Sequence, residues 1–287
     1  MNKTFSIGLV GLLTMTACGN GNGEEGNDEI GDSIQIGYTN YAENTVVSAM
    51  WAQLLEEQGY DVTRSSLEKA ALYEGVETGD VDIGFSAWLP FTDDHFVSDD
   101  AHDVQEEGAF YEGTELGIAV PSYMEDVETI ADLNDYVDEL DGTIIGIDPG
   151  AAISSTTEEE IIPYYDLEFT LQTSSEQGML SAFDSAYAEE EPIAVTLWSP
   201  HWTFGNYDIK YLGDPDNVYG DDDDIYYIAR HGLAEEESQI IEWLNNLHFT
   251  DDQLSELLTL QNELEDDDEA AQQWMENNQE VVDEWLE

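Results

Sequence analysis

The chain has 287 residues, of which 67 are Asp or Glu and only five are Lys or Arg, giving a formal net charge of −62 at pH 7. Such an acidic chain cannot neutralise a phosphate backbone, so nucleic-acid binding is excluded. Hydrophobic residues still make up 41% of the sequence, which is enough for a large core and excludes a disordered protein.

Acidic residues are spread over every segment of the chain rather than gathered in spaced ligand loops. Self-repulsion at this charge weakens a compact state in dilute buffer, but at molar salt the Debye length falls to about 3 Å and screens most of it. The composition therefore predicts a halophilic protein from a very salty environment. An acidic calcium-binding surface protein is an alternative. However, the runs 221–224 and 266–268 lack the ligand spacing and central Gly of an EF-hand, so we predict no metal site.

The first 18 residues have the pattern of a bacterial lipoprotein signal. A basic start at Lys3 leads into an apolar stretch from Phe5 to Met15, and small residues precede Cys18. The apolar stretch is too short to span a bilayer as a helix. We therefore predict a signal peptide over 1–18, with a lipid on Cys18 that anchors the protein to the outer face of the cell membrane. Cys18 is the only Cys, so no internal disulfide can form; an ordinary buried thiol is the alternative.

Beyond this signal, strand-like and helix-like segments alternate along the chain. Residues 19–33 are mostly Gly, Asn and acid, which predicts a flexible tether. The predicted strands cover 33–38, 60–65, 81–88, 116–120, 143–147, 194–198 and 225–229. The predicted helices cover 43–58, 69–78, 127–136, a segment opening just after 148–150, 179–188, and the region from 235 to the end. Alternation of this kind is typical of α/β proteins whose parallel sheets are flanked by helices.

The pattern has a similar make-up on either side of residues 116–120. We therefore predict two lobes, each a mainly parallel sheet flanked by helices, with a ligand cleft between them. The first lobe is expected to comprise 34–117 plus 225–287, and the second to comprise 118–224. A ligand that touched both lobes would hold them closed.

Two apolar segments deliver a Trp to the end of a predicted strand. Trp88 and Trp198 are each followed two residues later by a Pro, which cannot continue a strand ladder. Ligands of open α/β sheets bind at the carboxyl ends of the strands, and Tyr41 lies just past the first strand, at the same edge as Trp88. Aromatic rings at one edge suit a cation that has no N–H to donate. The sequence therefore predicts an aromatic cage; core packing is the alternative for each ring.

A turn in the second predicted lobe is a candidate anion site. Asp148-Pro149-Gly150 is followed by small residues, which let a ligand approach free backbone N–H groups at the positive end of a helix. Such a helix start can hold a carboxylate. The alternative is that Ser154 and Ser155 merely cap the helix, and the pattern does not decide between the two.

Five short strings carry a resemblance to a known family. In chain order they are Asn40-Tyr41-Ala42-Glu43-Asn44, Tyr73-Glu74-Gly75-Val76, Ala87-Trp88-Leu89-Pro90, Gly146-Ile147-Asp148-Pro149-Gly150 and Thr196-Leu197-Trp198-Ser199-Pro200-His201-Trp202. From about Ile34 to the C-terminus, the chain resembles the substrate-binding lipoproteins of glycine betaine/proline betaine ABC importers. The resemblance implies a two-lobed periplasmic-binding-protein fold of the second type.

The same resemblance implies a binding site. A cage around a trimethylammonium maps onto Tyr41, Trp88 and Trp198, and backbone N–H groups that hold a carboxylate map onto Ala152 and Ile153. A membrane permease and a separate ATPase are the implied partners. No cofactor and no catalytic residue are implied.

Two departures from the family pattern bear on the ligand. Several members have Trp where Tyr41 stands, which keeps an aromatic face but weakens it. A His that contacts the ligand carboxylate in some members falls on Asp93 here, and an ionised Asp93 would repel a carboxylate. Asp93 must therefore point away, be protonated, or favour a ligand without that group, such as choline. His201 is expected to donate to the carboxylate instead, or else to be bonded within its own loop.

The leading hypothesis is an extracytoplasmic, lipid-anchored receptor that captures glycine betaine or a related osmoprotectant for an ABC importer. A receptor for choline or carnitine is the nearest alternative. A hydrolase using Ser199 and His201 is a further one, but the chain has no G-x-S-x-G elbow and a Pro separates the two residues.

Overall fold

The computed structural model describes residues 33–97 and 108–287. The predicted signal peptide, Cys18 and almost all of the tether lie outside these residues. The described chain contains ten strands: β1 (Ser33–Tyr38), β2 (Asp61–Ser66), β3 (Ile83–Leu89), β4 (Ala109–Glu112), β5 (Glu115–Pro121), β6 (Thr143–Ile145), β7 (Thr170–Gln172), β8 (Val195–Ser199), β9 (Ile209–Tyr211) and β10 (Asp224–Ala229). They form two five-stranded sheets, ordered β2-β1-β3-β10-β4 and β7-β6-β8-β5-β9.

Each sheet has one reversed strand. In the first sheet, β10 runs antiparallel to both β3 and β4, and the other pairings are parallel. In the second sheet, β5 runs antiparallel to both β8 and β9. Four of the five strands of each sheet therefore point the same way, which confirms the predicted pair of mainly parallel α/β sheets.

The chain crosses between the sheets twice, at 113–114 and at 212–223. The two crossings are bonded to each other: the Thr114 N–H donates to the Asp223 carbonyl at 2.8 Å, and the Asp223 N–H donates to Thr114 Oγ1 at 3.2 Å. These positions lie within a few residues of the predicted lobe boundaries, and the division into lobes of 34–117 plus 225–287 and of 118–224 stays a prediction.

Helices cover the sheets. They are α1 (Ala42–Glu57), α2 (Lys69–Thr78), α3 (Ala152–Thr156), α4 (Ile162–Tyr164), α5 (Glu176–Ala188), α6 (Thr203–Asn206), α7 (Leu233–Glu236), α8 (Ser238–Asn246), α9 (Asp251–Leu264), α10 (Asp267–Asn277) and α11 (Gln279–Trp285). A π-helical turn at Thr157–Ile161 joins α3 to α4, and 3-10 segments occupy Asp94–Phe96 and Ile130–Tyr136. None of the helices in the described ranges has the length and apolar character of a membrane span.

Two helical predictions differ from the structure. The helix predicted over 127–136 is a 3-10 segment whose buried residues, Ile130 and Leu133, lie three apart, which matches the 3-10 repeat. The region after 235 is not one helix but several. Thr250 and Asp266 each accept a backbone N–H from the third residue on, so each begins a new helix.

The first helix, α1, is buried on nearly every side. Of its 16 residues, 13 are buried, because α1 lies between the first sheet and the C-terminal helices α9 and α10. Trp51 of α1 and Trp274 of α10 are both fully buried. This packing fixes the N-terminal end of α1, with its polar residues, at the carboxyl edge of the first sheet.

Candidate ligand-binding cleft

Both tryptophan-bearing strands end at one cleft between the sheets. Trp88 ends β3 and Trp198 ends β8, and Tyr41 lies between β1 and α1. The cleft has a volume of about 380 Å³, including the part open to solvent. All three rings line it, together with Leu116, Ile147, Ala151, Ala152, Ile153, Glu43, Lys69 and Thr92. Five of the six residues predicted to bind a ligand are thus brought together: Tyr41, Trp88, Trp198, Ala152 and Ile153.

The aromatic part of the cleft is built from both halves of the chain. The ring centroids of Tyr41 and Trp198 lie 5.7 Å apart at an interplanar angle of 65°, an edge-to-face arrangement. Burial raises the pKa of the Tyr41 hydroxyl well above its usual range, and Asp148 and Glu43 add to the rise. Tyr41 therefore remains a neutral phenol, so the cage presents uncharged aromatic rings.

Glu43 adds a buried carboxyl to the cleft beside Trp198. The indole N–H of Trp198 donates to Glu43 Oε2 at 3.2 Å, and Glu43 is only 1% exposed. Burial raises the pKa of Glu43 to about 7, and the nearby Glu176 carboxylate contributes to the rise. The cleft thus contains an acid that titrates near neutral pH. The sequence analysis missed Glu43, because a Glu in the first turn of a helix normally faces solvent.

Glu176 connects the two halves of the chain behind Trp198. Its Oε2 accepts the Ala42 N–H at 3.1 Å, which satisfies the start of α1. Its Oε1 lies 3.1 Å from His201 Nε2. Because His201 Nδ1 accepts the Thr203 N–H, the ring proton resides on Nε2 and donates to Glu176.

His201 is not among the residues that line the cleft. Its side chain is fully buried and lies edge-on to the Trp198 ring at 4.9 Å. The structure therefore places His201 behind the cage, where it supports Trp198 instead of facing a ligand. Both ring nitrogens are engaged within this network, so neither is available to take a proton from Ser199.

Asp93 lies behind Trp88 and, like His201, is not among the residues that line the cleft. Its Oδ2 accepts the Trp88 N–H at 2.8 Å and the Tyr73 hydroxyl at 3.3 Å, and it lies 2.7 Å from Lys69 Nζ. Burial raises the pKa of Asp93, and the Lys69 ammonium opposes that rise. Asp93 therefore points away from the cleft, which is the first of the three possibilities named for it.

Lys69 is the second cleft residue that the sequence analysis missed. It is the first residue of α2, and its side chain is only 9% exposed. The rarity of cations in this chain was a signal for it, since only five residues are Lys or Arg.

The turn at 148–150 leads into α3 without a side-chain cap. Ser154 and Ser155 both donate to carbonyl groups, of Ile147 and Ala152 respectively, so the alternative that they cap this helix start is wrong. Within the described part of the chain, the N–H groups of Ala152 and Ile153 have no acceptor, and both residues line the cleft. They are available to hold an anionic group.

No group of His, Cys, Asp or Glu that could hold a metal ion occurs within 33–97 and 108–287.

Comparisons with known proteins agree with this geometry. The glycine betaine/carnitine transport binding protein GbuC of Listeria monocytogenes is 39% identical over 153 residues, which are 53% of this chain and 51% of that protein. The chain thus spans about half the length of this curated relative.

Two solved structures have the same fold. Lactococcal OpuAC, in its closed-liganded conformation with glycine betaine, superposes with a TM-score of 0.82 at 30% identity, over 90% of this chain and 100% of that one. An ABC-transporter choline binding protein in complex with choline superposes with a TM-score of 0.80 at 25% identity, over 88% and 91%.

The family OpuAC, described as the substrate binding domain of the ABC-type glycine betaine transport system, matches residues 32–277. This match covers most of the chain, and it includes every residue that lines the cleft. The chain therefore belongs to the OpuAC family of substrate binding domains.

Proposed function

We propose that this protein is the extracytoplasmic receptor of an ABC importer, binding glycine betaine or a related quaternary ammonium osmoprotectant. The observation that carries the proposal is the convergence of Tyr41, Trp88 and Trp198 on one cleft between the two sheets. The receptor would deliver its ligand to a membrane permease driven by a separate ATPase. Its role is binding and transfer; no reaction is assigned to it.

The cage suits a methylated ammonium because such a group cannot donate a hydrogen bond. Affinity must then come from the aromatic faces and from removal of apolar surface from water, and each well-placed ring contributes about 0.5–2 kcal/mol. Glu43 beside Trp198 adds a negative charge whenever it is ionised. For a ligand with a carboxylate, the free N–H groups of Ala152 and Ile153 are the proposed partners.

A receptor for choline or carnitine is the second candidate. For choline, which has no carboxylate, it is favoured by Glu43, because the buried Glu43 carboxyl can balance the charge of a simple cation when it is ionised. The fold it shares with a protein solved in complex with choline is consistent with it. Calorimetric titration with glycine betaine, proline betaine, choline and carnitine separates the candidates by their dissociation constants.

The test of the cage combines calorimetry with tryptophan fluorescence, at molar and at low salt. Glycine betaine should bind saturably to the unaltered protein and give no measurable heat with Trp88→Ala or Trp198→Ala. Trp243→Phe is the control, because Trp243 lies in α8 and is not among the residues that line the cleft. Its indole N–H donates to the Leu286 carbonyl. Normal glycine betaine binding by both alanine variants would contradict the proposed aromatic cage.

The lipid anchor on Cys18 is part of the same proposal and is supported by the sequence pattern at residues 1–18. In a bacterial host supplied with labelled palmitate, the unaltered protein should become labelled and fractionate with membranes. The variant Cys18→Ser should remain unlabelled, and label on that variant would contradict the anchor.

A further inference from the structure

Lys69 is an unusual residue in its setting. The chain carries 67 acidic side chains and only five Lys or Arg, yet one of these few cations has a side chain only 9% exposed at the cleft beside Trp88 and Thr92. Many exposed carboxylates could pair with a lysine at lower cost, because burying an ammonium removes it from water. A stabilising role alone gives little reason for the cation to line this cleft.

Within residues 33–97 and 108–287, the Lys69 ammonium has a single acceptor. Lys69 Nζ lies 2.7 Å from Asp93 Oδ2, its acceptor among the described residues. An ammonium has three hydrogens to donate. Asp93 also accepts the Trp88 N–H, so the carboxylate that holds Lys69 is fixed to the backbone of a cage residue. This fixes the ammonium beside Trp88 with donors to spare.

The charged groups lining the cleft are of opposite sign. Glu43 contacts Trp198, whereas Lys69 is paired with the carboxylate that anchors Trp88. The two free N–H groups of Ala152 and Ile153 line the same space. A zwitterion has a partner for each of its charges here, whereas a simple cation such as choline has no negative charge to pair with the ammonium.

We propose that the Lys69 ammonium receives the carboxylate of the ligand and makes this site selective for zwitterionic betaines over choline-type cations. This inference rests on the proposed function of the cleft and deepens it. In this proposal Lys69 supplies the positive charge that pairs with the ligand carboxylate, which Asp93 cannot supply. Asp93 in turn positions Lys69.

The test is a cycle of two ligands and two proteins, measured by calorimetry in molar salt. Glycine betaine and its methyl ester share the trimethylammonium, but only glycine betaine has a carboxylate. The variant K69M/D93N removes the ion pair without leaving a buried charge, and the amide that replaces the Asp93 carboxylate keeps an oxygen for the Trp88 N–H. It should bind glycine betaine about ten- to a hundredfold more weakly, the usual range for a lost charge-assisted hydrogen bond, and bind the ester and choline as the unaltered protein does.

Three further measurements complete the test. Lys210→Met removes a lysine from β9 outside the cleft and should leave every affinity unchanged, which controls for the loss of a lysine elsewhere in the chain. Lys69→Arg should retain most of the preference for glycine betaine over its ester. Thermal unfolding of K69M/D93N confirms that the variant is folded.

The outcomes separate the two levels of the proposal. Equal weakening of glycine betaine, ester and choline by K69M/D93N means a merely structural Lys69 and overturns the inference, as does unchanged glycine betaine binding. Failure of the unaltered protein to bind any methylated amine overturns the proposed function itself.

Discussion

The two tryptophans of the cleft have different charged groups around them. Around Trp198 are two buried carboxyls, Glu43 in the cleft and Glu176 behind the ring, and a histidine whose Nδ1 accepts a backbone N–H. Behind Trp88 is one buried carboxyl, Asp93, matched by the ammonium of Lys69. The sequence pattern around the two tryptophans is nearly the same, a strand that ends in Trp and is stopped by Pro. The strand therefore fixes where each ring arrives, while helices from elsewhere in the chain decide the charge around it.

The largest expected effect comes from breaking the Trp88 end. Asp93→Ala leaves the Lys69 ammonium buried without a counter-ion and the Trp88 N–H without its acceptor. Loss of one partner of a buried pair costs about 3–5 kcal/mol, which should appear as a lower free energy of unfolding in urea at molar salt. Ligand binding should be lost with it, since Trp88 is no longer held.

At the Trp198 end, removal of a buried charge should have the opposite effect on folding stability. Glu43→Gln removes a carboxyl whose ionisation burial already disfavours, so at pH 8 the variant should be as stable as the unaltered protein or more stable. If Glu43→Gln and Asp93→Ala were equally destabilising, the contrast between the two ends would be wrong.

The next largest effect is a dependence of the free energy of unfolding on pH, which is set by Glu43. Its folded pKa of about 7 lies above the ordinary value of 4.5, so the folded state binds more protons between these values. Glu43 therefore stabilises the fold fully below about pH 4.5, and this contribution, at most about 3 kcal/mol, is lost as the pH rises to about 7. Urea unfolding of the unaltered protein and of Glu43→Gln across this range measures the difference.

Ligand binding should show the reverse trend. A cation in the cage stabilises the ionised carboxylate, so binding lowers the pKa of Glu43 and releases a proton. Affinity for glycine betaine should rise by up to about tenfold per pH unit below 7 and level off above it. Calorimetry in buffers of different ionisation enthalpy counts the released proton. A Glu43→Gln variant with the same pH profile would show that another group is responsible.

Much of the fold could be predicted from the chain itself. The ranges of β1 and α2 match their predictions because local signals define them; Gly79, for example, ends α2 with a left-handed φ of 79° that favours glycine. The convergence of Tyr41, Trp88 and Trp198 on one cleft could be predicted because each ring lies at or just past the end of a strand.

The charged residues of the cleft could not be predicted in the same way. Glu43, Lys69 and Glu176 each lie at the start of a helix, where sequence patterns place solvated side chains. Glu43 is buried because α1 is enclosed by helices α9 and α10 from the far end of the chain. Lys69 and Glu176 are held by partners distant in sequence, Asp93 and Ala42 respectively. For His201 the sequence left two roles open, and only the positions of Glu176 and Thr203 show that both of its ring nitrogens are already engaged.

The smallest expected effect comes from substitution of Tyr41, which lies on the Trp198 side of the cleft. Its ring meets Trp198 edge-to-face, and its phenol stays neutral. Tyr41→Phe should therefore change glycine betaine affinity by less than about twofold, because the aromatic face remains. Tyr41→Trp presents a stronger quadrupole, and a gain of about 0.5 kcal/mol, or roughly two- to threefold in affinity, is expected if the larger ring fits. Calorimetry with Tyr41→Ala as the reference fixes the scale. A loss with Phe as large as the loss with Ala would show that the hydroxyl, and not the ring, makes the contact, and the cage would then rest on the two tryptophans alone.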